Sequence, residues 1–260
     1  MPDHSRRFEG LAGAYVAYRP DYPAGLLKRL ATDITASNRG AGGRVLDVGA
    51  GTGIFTRQLR SALGDGACLV GVEPSSDMRA KALEGEAGTS HAIDYVDGVA
   101  EALPFADVSI QAVVAATAAH WFDRPAFYRE AARVLERGGL LAIAEYVRDE
   151  NASALAADLV RALARNGGAR AYDRPDYEAE LRMVAGFTDA TAHRWPTTLM
   201  LTPAQFIGLA LSSSHARAWV ERDGRHSVER ELSDLSQKHA RADGLAPFGY
   251  MFQLFEIRRA

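Results

Sequence analysis

The chain has 260 residues, with 30 Lys and Arg against 33 Asp and Glu and a formal net charge of −3. That length buries a large core without staples, and the slight negative charge gives a nucleic-acid or membrane surface no global attraction. The single cysteine, Cys68, excludes an intramolecular disulfide and a cysteine-built metal cluster.

Residues 1–20 are polar and aromatic, with Phe8, Tyr15, Tyr18 and Arg19 ahead of Pro20. Leu26, Leu27, Leu30 and Ile34 share one face of a helix expected over 23–35. A short strand over 44–48 breaks into Gly49-Ala50-Gly51-Thr52-Gly53, and a helix over 54–63 follows, stopped at Gly64-Asp65-Gly66. A buried strand over 68–72 ends at Glu73-Pro74, and Ser75 or Ser76 caps a helix over 75–83. Strands are expected at 92–96 and 110–116, the second apolar or small apart from Gln111 and so covered on both faces. A helix over 123–135, closed by Gly138-Gly139, leads into a strand over 140–146.

Five alternations of strand and helix imply a parallel, doubly wound sheet with right-handed crossovers. Ligands in such sheets bind at the carboxyl ends of the strands near the switch point. After residue 147 the pattern changes: helices at 152–165 and 177–185, a strand near 188–194, helices at 203–211 and 216–237, and an alternating strand at 252–258, with 167–176 a loop. The expected fold is therefore α/β: a Rossmann-like, doubly wound, mostly parallel seven-stranded sheet with helices on both faces. The two late strands pair at one edge, and the helices between them form a C-terminal helical cap insertion able to cover the ligand edge. No repeat or low-complexity linker interrupts the chain, so one domain over 1–260 is expected. Its parts are an N-terminal arm and helix (1–40), a cofactor-binding core (41–147), and cap helices with edge strands (148–260). Without an apolar leader or a long apolar run, a cytoplasmic location is expected.

The run Val45-Leu46-Asp47-Val48-Gly49-Ala50-Gly51-Thr52-Gly53 is the most informative stretch. Glycines after a strand let backbone N–H groups approach a ligand and aim a helix N-terminus at it. The G-x-G-x-G spacing is neither the dinucleotide fingerprint nor the phosphate loop. Asp47, just before the glycines, would repel a phosphate and suits a ligand with a cationic end and hydroxyls.

Six segments in order resemble the class I S-adenosylmethionine-dependent methyltransferases, and more narrowly the small-molecule branch that includes the trans-aconitate methyltransferases. They are Ala14-Tyr15 through Tyr18-Arg19-Pro20-Asp21-Tyr22-Pro23; Val45 to Gly53; Gly71-Val72-Glu73-Pro74-Ser75 with Met78; Gly98 to Phe105; Ala119-His120-Trp121-Phe122-Asp123; and Arg133-Val134-Leu135 with Gly138 to Leu141. The resemblance covers residues 8–146 well and the remainder loosely, and it implies S-adenosylmethionine as cofactor. It places the methionine part against Gly49, Ala50, Gly51 and Gly53 and the ammonium end near Asp47. Both ribose hydroxyls fall to Glu73, beside Pro74, with its two accepting oxygens. Met78 would lie on the adenine face, and Ala116 would flank the cofactor at the end of the fourth strand. Where the family often has an Asp, this chain has Val99, whose side chain cannot accept a hydrogen bond, while backbone groups of Ala100 and Glu101 remain available.

The protein's share of methyl transfer is orientation and exclusion of water. A base is needed only for an acceptor that is protonated at working pH. His120 is the candidate catalytic base, with a pocket-shaping role as the competing reading. Candidate substrate contacts are Tyr15, Tyr18, Trp121, His215 and Arg19, the last suited to a bidentate carboxylate or, equally, to tying down the arm. No pair of histidines has metal-ligand spacing on a shared face. The cap aromatics Phe206, Trp219, Phe248, Tyr250 and Phe252 offer apolar surface to enclose a small ligand.

The expected activity is methylation of a small organic molecule, O-methylation of a carboxylate or hydroxyl first, as in natural-product tailoring. The alternatives are N- or C-methylation, or a cofactor-binding protein that transfers no methyl. A nucleic-acid methyltransferase is disfavoured because Ala116-Thr117-Ala118-Ala119 stands where the amino-methylating types carry Asn-Pro-Pro-Tyr. A protein-arginine methyltransferase would want paired acidic residues in the pocket, and Glu145 alone does not make that case. The expected state is a monomer or homodimer.

Overall fold

The computed structural model describes residues 20–36, 42–64, 66–86, 93–166, 175–213 and 216–260. Helix α1 (Ala24–Thr35) buries Leu26, Leu30 and Ile34 along one stripe. Strand β1 (Arg44–Val48) enters the glycine loop, and α2 (Ile54–Leu63) leaves it. Next come β2 (Cys68–Val72), α3 (Ser76–Glu84), β3 (Asp94–Val96) and β4 (Ile110–Ala116). A single 3-10 turn (Ala119–Trp121) joins β4 to α4 (Arg124–Val134), which runs directly into β5 (Leu135–Arg148). The second half holds α5 (Ala154–Asn166), α6 (Tyr177–Arg182), β6 (Phe187–Leu201), α7 (Pro203–Leu211), α8 (Ala216–Asp223), α9 (Arg225–His239) and β7 (Ala246–Arg259).

The seven strands lie in the order β3-β2-β1-β4-β5-β7-β6. Neighbours from β3 to β5 are parallel, and β7 runs antiparallel to both β5 and β6. The order reverses between β1 and β4, so the switch point lies just past Val48 and Ala116. Alternate residues of the central strands feed two cores, as a strand covered on both faces requires. Val45, Ala112, Val114, Ala142 and Ala144 meet α1, α2, α5 and α7–α9 on one face. Leu46, Val48, Val113, Ala115, Leu141 and Ile143 meet Phe127, Ala131 and Val134 of α4 and Leu181 of α6 on the other.

The β6–β7 hairpin is longer than the sheet it borders. β5 pairs with β7 from Leu140 opposite Arg258 to Arg148 opposite Tyr250, whereas β6 stays paired to Leu201 opposite Ala246. Residues 246–249 therefore stand past the last β5 partner, at the carboxyl ends of the parallel strands. The insertion α7–α9 caps that extension, with α9 packed on α7 and α5.

Several expectations change. The helix over 123–135 does not close at Gly138-Gly139. It stops at Val134 because Leu135 pairs with Ile110, and the two glycines lie inside β5, where its register against β4 shifts. A Cβ at Gly139 would come within 2.8 Å of the Glu136 carbonyl on its own strand and 3.1 Å of the Gln111 carbonyl on β4, so the crowded backbone sets that residue. The helix over 216–237 is two, broken at Gly224 with φ +79°. The helix begun at Tyr177 ends at Arg182 rather than at Ala185, and β6 and β7 are each about twice the expected length. The cap aromatics Phe206, Trp219, Phe248, Tyr250 and Phe252 are all 3% exposed or less. They are core beneath the ligand edge, not an open lining. Most of the loop at 167–176 and Ala92 of the third strand lie outside the described residues.

Candidate active site

The glycine loop turns across the end of β2. The N–H groups of Gly49 and Ala50 both donate to the Val72 carbonyl, at 2.8 and 3.1 Å. Gly49, Gly51 and Gly53 have φ of +75°, +56° and +76°, a region that side-chain-bearing residues rarely occupy. A Cβ on Gly49 would lie 2.6 Å from that of Ala118, and one on Gly53 would strike the Tyr95 hydroxyl. A Cβ on Gly51 would meet no atom within 4 Å. The loop thus presses on the protein at its first and third glycines and opens outward at the second.

Glu73, at the end of β2, faces that opening. Its Oε2 accepts from the Gly51 N–H at 3.0 Å and its Oε1 from the Ser75 N–H at 2.9 Å. Each oxygen keeps accepting capacity for a further donor. Burial raises its pKa, while the two N–H bonds and the Arg79 guanidinium pull it back. Ser75 caps α3 by accepting from the Met78 N–H, and Met78 is buried. Pro74 is exposed at the rim.

Asp47 lies beneath the loop, 1% exposed. The Thr56 hydroxyl of α2 donates to its Oδ2 at 2.6 Å, and its Oδ1 is buried without a hydrogen-bond partner. Burial pushes its carboxyl up to about 7, opposed by the Thr56 bond and reinforced by Glu73. Past β3, the chain folds into a tight turn in which the Ala102 N–H donates to the Val99 carbonyl. Val99 is exposed there and Ala100 buried, while the Glu101 carboxylate turns away to accept from the Asp123 N–H at the start of α4. Arg133 of α4 holds the following stretch through the Leu103 and Phe105 carbonyls, and Glu130 accepts from the Leu103 N–H.

At the end of β4, beyond Ala116, Thr117 has φ +49°, a strained conformation for a β-branched residue. Its N–H donates to the Ala144 carbonyl, and its hydroxyl lies 2.5 Å from that of Tyr22. Tyr22 in turn meets Phe55, Tyr146 and Phe252 edge-on. Ala118 and Phe122 are the side chains beside Gly49, so the 3-10 turn carrying His120 and Trp121 abuts the glycine loop. The His120 and Trp121 rings are 4.8 Å apart, and His120 Nδ1 lies 3.5 Å from Glu145 Oε2.

One edge therefore gathers the predicted residues Asp47, Gly49, Ala50, Gly51, Gly53, Glu73, Met78, Ala100, Ala116, His120 and Trp121. Tyr15, Tyr18, Arg19 and His215 lie outside the described residues. Sequence reasoning gave no role to Thr117, Tyr22 or a pairing of Glu145 with His120. A residue's place at the end of a parallel strand was the signal available for Thr117 and Glu145.

The residues present suit a nucleoside bearing a cationic amino-acid tail. The opening at Gly51 admits a close backbone approach, the Glu73 oxygens have capacity for two hydroxyls, and the orphaned Asp47 Oδ1 supplies negative charge below the loop. The fold and this edge together define a Rossmann-like enzyme of the nucleoside-cofactor type. A methyltransferase domain model matches residues 46–143. An uncharacterized methyltransferase of Mycobacterium tuberculosis is 33% identical over 213 residues, covering 82% of this chain and 79% of its own. A protein of Anaeromyxobacter dehalogenans provisionally assigned as a type II methyltransferase shares the fold, with a TM-score of 0.67 at 21% identity over 94% of this chain and 98% of that one. Phosphoethanolamine N-methyltransferase 2 of Haemonchus contortus, solved with S-adenosyl-L-methionine, has a TM-score of 0.55 at 18% identity, covering 98% of this chain and 56% of that one. The chain belongs to the class I S-adenosylmethionine-dependent methyltransferases.

Proposed function

We propose that this enzyme methylates an oxygen of a small organic molecule held between the glycine loop, the 3-10 turn and the helical insertion. When bound, the cofactor supplies an electrophilic methyl group on a sulfonium. Glu73 holds the ribose hydroxyls, Asp47 favours the ammonium end from below, and the backbone at Ala100 and Glu101 meets the adenine beside Met78. Tyr22 and Thr117 close the acceptor side, and the capped β6–β7 extension shields it from water. The chain's −3 charge supports a small acceptor over a nucleic acid.

The observation that carries the reading is the convergence of Glu73, the Gly51 opening and His120 on one strand-end edge. Calorimetric titration with S-adenosylmethionine and S-adenosylhomocysteine tests it. Micromolar binding is expected, weakened by about 1.5–3 kcal/mol in Glu73→Ala, the range for a hydrogen bond to a charged group. Equal affinity in the variant refutes the ribose role, and no binding by the native chain refutes the whole reading.

A further inference from the structure

Given the methyl-transfer reading on which this rests, the geometry points to Glu145 as the positioning residue for His120, and to an acceptor that is a phenolic or alcoholic hydroxyl rather than a carboxylate. Ala144 of β5 pairs with Ala116, the last residue of β4. Glu145 is the next residue along β5, beside the turn that carries His120. The ring nitrogen Nδ1 stands 3.5 Å from Glu145 Oε2, an ion-pair approach a little longer than a closed hydrogen bond, with the two side chains only 16% and 13% exposed. Trp121 lies against the imidazole at 4.8 Å and limits its tilt.

A carboxylate facing one ring nitrogen of histidine keeps the proton on that nitrogen and leaves the lone pair on the other. His120 Nε2 is then the accepting atom, and Glu145 stands behind the ring on its opposite side. This arrangement serves an acceptor that must lose a proton. A carboxylate acceptor is already ionised near neutral pH. It would gain nothing from a base and would be repelled by Glu145 behind the ring. For a hydroxyl, the O–H proton passes to Nε2 while the oxygen lone pair forms the new O–CH3 bond. The S–CH3 bond breaks, its electron pair stays on sulfur, and the proton leaves His120 to solvent afterwards.

Two readouts test the pair, both on protein that binds S-adenosylmethionine. Nitrogen-15 NMR of the native enzyme should show the neutral His120 ring protonated at Nδ1, and Glu145→Gln should redistribute the tautomers. A native ring protonated at Nε2 overturns the positioning role even if the variant does not fold. The second readout is turnover on paired panels of hydroxyl, carboxylate and amine acceptors, followed by release of S-adenosylhomocysteine. Methylation of hydroxyls is expected. Glu145→Gln should lower kcat about tenfold or more, within the span of general-base catalysis. Acceptor KM and cofactor affinity should stay within about twofold, and Glu145→Asp should recover part of the loss. Methylation of carboxylates or amines alone, or of no hydroxyl, overturns the acceptor class, and an unchanged kcat in Glu145→Gln overturns the role of Glu145. Failure of the native enzyme to bind the cofactor is a separate result that removes the underlying methyl-transfer reading.

Discussion

Glu256→Gln offers a sharp test of how charge is handled in this sheet. Glu256 is 3% exposed on β7, its carboxyl held near that of Asp33 and away from water. Around it stand His193 of β6, with Nε2 at 3.9 Å, Asp33 and Arg29 of α1, and Arg258 on its own strand. Burial, with Asp33 adding repulsion, pushes its carboxyl up from 4.5 to about 7, against the pull of Arg29 and Arg258. A carboxyl raised on folding stabilises the native state fully below its unfolded pKa, and that contribution is lost as the pH climbs through the folded one. The window is therefore from about 4.5 to 7, and at about 1.4 kcal/mol per pKa unit the loss is about 3 kcal/mol. Glutamine keeps the shape and never ionises. Any fixed penalty of the amide is the same at every pH, so it cancels from the comparison, as does the contribution of Asp47. Urea unfolding of both proteins at pH 4.5 and pH 8 measures the effect. The variant should gain about 3 kcal/mol on the native chain between the two pH values. Parallel stability curves would refute the burial argument.

Three further predictions concern the cofactor edge. Gly51→Ala must hold φ near +56° and should lose about 1–2 kcal/mol of stability from strain alone. Its Cβ also enters the open approach, so calorimetry should show cofactor affinity falling further than stability does; unchanged affinity would place the ligand elsewhere. On the proposed reading, ionised Asp47 favours the ammonium end, so cofactor affinity should drop as the pH falls below about 7, by up to about tenfold per pH unit. Asp47→Asn should bind weakly with no such slope, and a slope that survives would assign it to another group. Arg133→Ala frees the Leu103 and Phe105 carbonyls from their guanidinium partner. It should cost about 1–3 kcal/mol in thermal or urea unfolding and weaken adenosine binding, because the turn at Val99–Ala102 loses its support; a variant as stable as the native chain refutes the clamp.

The glycine loop, the acidic end of β2 and the central strands were legible because their causes are local. Three glycines at alternate positions ask for positive φ, and a run that is apolar or small apart from Gln111, such as Ile110–Ala116, asks for cover on both faces. Ser75 announced its cap for the same reason, since a cap bond spans three residues. What the tertiary structure decided depends on partners far along the chain. Leu135 leaves its helix because Ile110 is waiting beside it, and β6 and β7 lengthen because each supplies the other's hydrogen bonds. Thr117 takes a left-handed φ that no propensity predicts, in a stretch whose hydroxyl meets Tyr22 from 95 residues away. His120 and Glu145 become a pair only when β4 and β5 align, and five cap aromatics turn out to be core because the extended hairpin folds beneath its own insertion. Spacing along a chain specifies what a segment can do with its own backbone. Which side chains face one another or share a core is set by strand order and register, and those exist only in the folded sheet.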